Sequence, residues 1–353
     1  MDTRKIKPLL ASTGKKLLVY HSDLDGMCSA ALMLRFFGGF ELIPREGPMM
    51  EDKFVRALAE RKPSVMVVLD IPIDQEWRKV ELLQKQVPGM RLAVIDHHVP
   101  EKDLGKGGNV HMNPRFGGDL YIPASCMVYR LLEELGCDVK PFVWIAAMGV
   151  IGDYGIEDCR GLLRECESRY PGSIGKDPMK SRIKDLGDHV MASVILHGQK
   201  GVSRSTELLL KAGSYEDIRG NKYFSACGEK VAAELRRILA DFEKRKKEHP
   251  GLDLIVYRLQ SRLNVASTVS TIVAAKHPDK IIIIEKISGG WVKVSARYQA
   301  GDISLNALMK ETVAGIGSGG GHPKAAGGLV ARKDIGEFER RLVSRLTELK
   351  GKA

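Results

Sequence analysis

The chain has 353 residues, more than one ordinary hydrophobic core accommodates, so two domains are expected. Apolar residues make up 44% and charged residues 28%, and no apolar run approaches the roughly 20 residues of a membrane-spanning helix, which excludes a membrane partner and fits a globular fold. Lys and Arg number 55 against 44 Asp and Glu; the resulting net charge of +11 favours anionic partners such as nucleotides or nucleic acid. In chain order, the N-terminal stretch up to Lys16 is basic but lacks the sustained apolar segment of a leader. KLLVYH (Lys16–His21) reads as a buried strand and Gly26–Phe37 as the helix after it. Ser64–Asp70 and Arg91–His98 read as two more buried strands, with an amphipathic helix at Asp74–Gln86 between them. This alternation predicts a parallel sheet with helices on both faces.

Helical patterns follow at Ala124–Leu135 and Pro141–Gly155, the second apolar enough to be buried. From about 160 to 250 the chain is helical and polar, broken at Tyr170–Met179 and punctuated by Glu248–Gly251. A second α/β unit then begins. Leu252–Leu259 and Lys280–Ile287 read as strands around a helix at Asn264–His277, and Trp291–Tyr298 alternates like a strand. A short helix at Ser304–Glu311 and a glycine-rich stretch at Gly315–Gly328 lead into a final amphipathic helix over about 334–349. The expected fold is therefore α/β with two domains. A parallel-sheet domain over 1–160 and a smaller α/β domain over 251–353 are joined by a helical connector over 161–250. Six cysteines, Cys28, Cys126, Cys137, Cys159, Cys166 and Cys227, form no C-x-x-C pair, so they read as free thiols in a reducing cytoplasm, the expected location.

Chemistry concentrates at the predicted strand ends. The first delivers His21, Asp23 and Asp25; the second Asp70; the third Asp96, His97 and His98. Asp153, in GVIGDYG, follows the apolar helix. Ligand sites of open parallel sheets lie beyond the carboxyl ends of the strands. A single aspartate after a strand is usually a turn residue or a helix cap. Four or five acids converging on one sheet edge repel strongly unless cations lie between them. Carboxylates and imidazoles without thiolate suit Mn²⁺, and Mg²⁺ less well. Enough ligands are present for two ions bridged by one carboxylate.

HSDLDG, the aspartate of VVLD, DHH and the aspartate of GVIGDYG together resemble, in order, the four motifs of the DHH phosphoesterase superfamily. That superfamily includes RecJ-type exonucleases, nano-RNases, cyclic-dinucleotide phosphodiesterases and inorganic pyrophosphatases. The resemblance implies that His21 and Asp23 hold one Mn²⁺, that Asp25, His97 and Asp153 hold the other, and that Asp70 bridges both. It leaves Asp96 to orient an imidazole and places His98 near the scissile phosphate. GGGHPKAAGG resembles the signature of the DHH-associated C-terminal domain, which binds substrate and faces the metal site across a cleft. Gly319, Gly320, Gly321 and His322 are its candidates here. VSAR resembles the segment where that family places a substrate-binding arginine, which makes Arg297 a further candidate. Read from its residues alone, the glycine run is either a flexible loop or an anion nest of backbone N–H groups, with His322 and Lys324 adding positive charge.

The first expectation is a nano-RNase-like enzyme that degrades short single-stranded oligonucleotides, and also phosphoadenosine phosphate or linear dinucleotides. HSDLDG, one residue shorter than the nano-RNase spacing, and the net charge of +11 support a RecJ-like single-strand exonuclease as the alternative. An inorganic pyrophosphatase is less expected, because its usual basic motif near the C-terminus is absent. A non-enzymatic metal-dependent nucleic-acid binder is disfavoured because every ligand position is filled. RNA or DNA preference, substrate length, polarity and oligomeric state, a homodimer included, are left open.

Overall fold

A computed structural model describes residues 3–300 and 303–351. The chain divides into two compact units, Met1–Gly228 and Glu229–Ala353. No helix among the described residues is long and apolar enough to cross a membrane.

The first unit is built on five parallel strands: β1 (Lys16–His21), β2 (Phe40–Arg45), β3 (Val65–Leu69), β4 (Arg91–Ile95) and β5 (Val110–Met112), in the order β2-β1-β3-β4-β5. All of β3, and β4 after Arg91, is buried. Apolar side chains alternate between two cores, as a strand covered on both faces requires. Leu18 and Tyr20 join Val67, Trp144 and Val190 on one face. Leu17 and Val19 join Val68, Val80 and Leu83 on the other.

The helix that follows β1 spans Leu24–Phe36, with Asp23 as its N-cap accepting the Gly26 N–H. The predicted helix at 74–86 divides into a 3₁₀ turn at Ile73–Glu76 and an α-helix at Trp77–Gln86. The buried helix after Phe142 spans Val143–Gly152 and ends at Asp153. Helices Arg160–Arg169, Arg182–His197 and Gln199–Lys211 place Leu162, Ile183, Leu186, Val190, Val202 and Leu209 in the same core as β1 and β3. The boundary between units thus falls inside the stretch expected as a connector, within the 24-residue helix Lys222–Arg245.

The second unit is a six-stranded sheet of β6 (Lys247–His249), β7 (Leu254–Leu259), β8 (Ile281–Ser288), β9 (Trp291–Arg297), β10 (Gly317–His322) and β11 (Ala325–Ala331). Its order is β10-β11-β9-β8-β7-β6. Only β7 and β8 pair in parallel, and helix Ala266–Lys276 makes the crossover that parallel neighbours need. Val292, Val294 and Ala296 pack against Leu308, Phe338 and Leu342, on helices Leu305–Val313 and Ile335–Lys350. On the opposite face Ser295 meets Ser270 of helix Ala266–Lys276, Oγ to Oγ 2.9 Å.

The glycine-rich stretch is not a loop. It is the hairpin β10–β11, with Gly319 opposite Gly328 and Gly320 opposite Gly327. Glycine disfavours strands, which hides this hairpin from a propensity reading. Close approach explains the residue choice: a Cβ at Gly317 would lie 2.1 Å from the Leu329 carbonyl oxygen.

Glu285 of β8 is fully buried, with Arg258 3.0 Å away and Glu339 beyond it. Burial first, then repulsion from Glu339, raises its pKa to about 7. The folded form therefore retains a proton that the unfolded chain releases near pH 4.5. That contribution to stability is complete below pH 4.5 and is lost as pH rises through 7. Thermal melts between about pH 5 and 8 should show this decline, and Glu285→Gln should flatten it. An unchanged slope in the variant would disprove the assignment.

Candidate metal centre

Four segments of the first unit converge beyond the carboxyl ends of β1, β3 and β4. His21 ends β1, and its Nδ1 lies 2.8 Å from Asp23 Oδ2 and 3.5 Å from Asp70 Oδ2. Neither approach has hydrogen-bond alignment, and His21 Nδ1 and Asp70 Oδ2 are both buried without an aligned partner. Asp70 follows β3 with a left-handed φ of +60°. His97 Nε2 lies 3.2 Å from Asp70 Oδ1 and 3.3 Å from Asp153 Oδ2. Both its ring nitrogens are buried and lack an aligned hydrogen-bond partner.

Asp25, 1% exposed, turns inward from the first turn of its helix. Its carboxylate accepts the Ala124 N–H at 2.7 Å and the Ser125 N–H at 3.1 Å. These N–H groups open helix Ala124–Glu134, whose N-cap is Pro123, so a remote acid does the work of a local cap.

Ligand atoms of His21, Asp23 and Asp70 all lie within 4.8 Å of one another, as do those of Asp25, His97 and Asp153, and those of Asp70, His97 and His98. Asp96 is buried outside these groups; its carboxylate takes His98 Nδ1 at 2.8 Å and the His98 N–H at 3.1 Å. Burial opposes a charge on His98, but Asp96 outweighs it and raises its pKa.

The electrostatics describe a site built for positive charge. Burial, then repulsion from Asp70 and Asp153, pushes Asp25 well above the carboxylate range. Burial and then Asp23 do the same to Asp70, and burial raises Asp153. Burial opposes the His21 imidazolium, yet Asp23 and Asp70 raise it to about 11. Burial likewise opposes the Asp23 carboxylate, yet His21 draws it down to about 2. Protons thus offset acids that sit too close together to ionise freely. Orphaned imidazole nitrogens beside crowded carboxylates are a donor set that fits hard divalent cations.

Three contributors carry no signal in the sequence. Tyr121 donates its hydroxyl to Asp153 Oδ2 at 2.7 Å and packs edge-on against His97. Asn113 Nδ2 donates to the His98 carbonyl, and Arg115 Nε to that of His97, each at 2.9 Å. These contacts fix the backbone of the His97–His98 pair.

Arg297, Gly319, Gly320, Gly321 and His322 form a separate group on the second unit. His322 pairs with Ala325 and Ala325 with Arg297, so the two basic side chains share one face at one end of the sheet. Along that face Gly320 and Gly327 continue to Ser295 and leave a strip of bare backbone beside them. Arg297 donates to Ser267 Oγ and to the Ala296 carbonyl. β10 is the sheet edge, where alternate backbone N–H groups point out of the ladder. The Gly321 N–H is taken by Asn306 Oδ1.

An open parallel sheet with acids and imidazoles gathered at its carboxyl edge, followed by a mixed-sheet unit, is the architecture of a DHH-family phosphoesterase fold. The family models agree: "DHH family, N-terminal domain" matches residues 15–148 and "DHHA1 domain" matches 252–348. The chain belongs to the DHH phosphoesterase superfamily and carries its associated C-terminal domain. Solved structures share the fold at low identity. RecJ in complex with Mn²⁺ from Thermus thermophilus superposes with a TM-score of 0.77 at 17% identity, over 98% of this chain and 54% of the other. This chain therefore spans about half the length of that RecJ. An exonuclease RecJ bound to manganese gives 0.73 at 17% identity, over 98% of this chain and 93% of its own. The pGpG-specific phosphodiesterase PggH from Vibrio gives 0.52 at 14% identity, over 95% and 99%. No curated protein matches the chain.

Proposed function

We propose that the chain is a metal-dependent phosphoesterase that hydrolyses phosphodiester bonds of short single-stranded oligonucleotides, in the manner of nano-RNases. One observation carries this reading: two acid–imidazole groups, His21–Asp23–Asp70 and Asp25–His97–Asp153, linked by the 3.2 Å approach of His97 to Asp70. In this assignment His21 and Asp23 would hold one Mn²⁺, Asp25, His97 and Asp153 would hold a second, and Asp70 would serve both, with Mg²⁺ as a substitute. Such ions, when bound, lower the pKa of water and neutralise charge developing on the phosphoryl group. The chain's own residues do the rest. Asp25 is fixed by two N–H donors and Asp153 by Tyr121, so the acids stay in place as charge changes. Asp96 fixes His98 through Nδ1 and favours its charged form, which leaves Nε2 to donate to a phosphoryl oxygen. Arg297, His322 and the glycine backbone of β10 are the second unit's candidate groups for binding the substrate's phosphates. The exonuclease RecJ and pGpG phosphodiesterase relatives support a phosphodiester substrate.

A length series of RNA and DNA from two to about 25 nucleotides, run with Mn²⁺ at two salt concentrations, tests this reading. Catalytic efficiency should peak at roughly two to five nucleotides, and His322→Ala and Arg297→Ala should mainly raise KM. The net charge of +11 and the short HSDLDG spacing favour a RecJ-like exonuclease as the second reading. Efficiency that climbs with length, together with a steep salt dependence, would decide for it.

A further inference from the structure

The second sheet buries one face and leaves part of the other bare. Val292, Val294 and Ala296 of β9 point into the core, so Trp291, Lys293, Ser295 and Arg297 point the other way. Helix Ala266–Lys276 covers this second face at Ser295. Towards Trp291 the face is open. Trp291 is 48% exposed and Leu329 39%, and Lys293 and Ser318 are exposed as well. Leu329 lies directly across from Lys293 and from Ser318.

Positive charge gathers here without its complement. Lys286 of β8 stands directly opposite Lys293, a pairing that costs stability when nothing negative lies between the two. Burial, and then the Lys293 charge, lower the Lys286 pKa. Its Nζ is held in place by the Leu263 carbonyl at 2.6 Å. Among the described residues of β8 to β11 the one acid is Glu285, and it lies across from Val294 on the core side. The Arg332 N–H bonds the Gly290 carbonyl at 2.8 Å, which brings an exposed arginine to the same end of the sheet.

We propose that this face is a platform for single-stranded nucleic acid, with Lys286 and Lys293 on its phosphates and a base stacked on Trp291. Cations that track a backbone, beside an aromatic ring under a base, are the general means of holding a single strand. A phosphate between the two lysines would relieve their repulsion. Six residues of β9 separate Trp291 from Arg297, about 20 Å along the strand. That is the length of roughly six nucleotides at the 3.4 Å rise of a stacked strand. Gly320 and Gly327 lie between these ends and add no side chain to obstruct the path. An acidic polypeptide would meet the same lysines but brings no flat ring to Trp291. The proposal rests on the oligonucleotide reading for its class of ligand, but it needs neither metal nor turnover.

Fluorescence anisotropy of a labelled single strand of about ten nucleotides, RNA and DNA in turn, tests it on the full chain in chelator. Trp291→Ala should weaken binding roughly tenfold or more and leave its salt dependence unchanged, and Trp291→Phe should keep most of the affinity. Lys293→Gln should weaken binding and lower the slope of log affinity against log salt by about one. Both side chains are exposed, so neither substitution threatens the fold. Binding that neither variant changes, no binding by the wild type, or equally effective displacement by polyglutamate would overturn the proposal. The expected binding in a chain that hydrolyses no oligonucleotide with Mn²⁺ would uphold the platform and refute the hydrolytic reading alone.

Discussion

Asp70→Asn should remove turnover, by on the order of 10³-fold or more, and leave the metal-free protein more stable than the wild type. Asparagine tolerates the left-handed φ of +60° at this position, so the substitution takes away charge and little else. The activity loss follows from Asp70's place between His21 and His97, the residues it would serve in both ion groups. The stability gain follows from burial, which with Asp23 holds the Asp70 pKa well above that of a free carboxyl. A raised carboxyl contributes stability that is complete below its unfolded pKa of 3.8 and is lost as pH rises through the folded value. The metal-free wild-type chain should therefore weaken from about pH 5 towards about pH 8, and Asp70→Asn should weaken less. Turnover at saturating Mn²⁺ and melting temperatures in chelator at both pH values provide the measurements. A gain of a few degrees at the higher pH is expected. Near-normal turnover in the variant would refute the assigned role.

Gly26→Ala should reverse the usual sign of its substitution class. Alanine in place of a helical glycine ordinarily stabilises by up to about 1 kcal/mol. Here a Cβ would lie 2.3 Å from the His21 carbonyl oxygen and 2.7 Å from the His21 Cβ. The first obstacle is backbone at the end of a central strand and has nowhere to move. Relief requires the helix to lift from β1, which carries Asp23 and Asp25 away from His21. The expected loss is about 1–3 kcal/mol by urea unfolding, with Mn²⁺ affinity reduced by roughly 100-fold or more by calorimetry. An equally stable variant with intact Mn²⁺ affinity would show that the strand–helix junction is looser than these distances imply.

The parts of the fold legible in the sequence are those written in continuous apolar runs. VMVVL and RLAVI are buried along almost their whole length, and so is most of KLLVYH. β2 escapes notice because FELIPR sits half-buried at the sheet edge and contains Pro44. β5 escapes because it has three residues. The helices between 160 and 219 look like a polar connector because charged residues interrupt their apolar positions; in the structure Leu162 and Leu163, or Ile183 and Leu186, still reach the core. At the metal centre, residues that leave strands in a recognisable order could be read, and the structure brings His21, Asp23, Asp25, Asp70, His97 and Asp153 together. Tyr121, Asn113 and Arg115 could not. They arise from irregular chain after the unforeseen β5, and nothing local marks a tyrosine as the partner of an acid 32 positions away. The capping of Ala124 and Ser125 by Asp25, about 100 positions distant, is equally silent in the sequence.

The all-parallel order of the first sheet also sets when the acidic edge comes into being. Parallel neighbours cannot be joined by a tight hairpin, so each pairing waits for a crossover to close. The positions of Asp70 and His97 acquire meaning only after β1, β3 and β4 lie side by side, and Asp153 arrives at the end of a helix much further along the chain. Such non-local assembly is slow, and none of its early stages offers a cation more than one or two ligands. A cation held at this edge would therefore belong to the native side of the folding barrier. It would act as a brake on unfolding and leave the speed of folding to the strands.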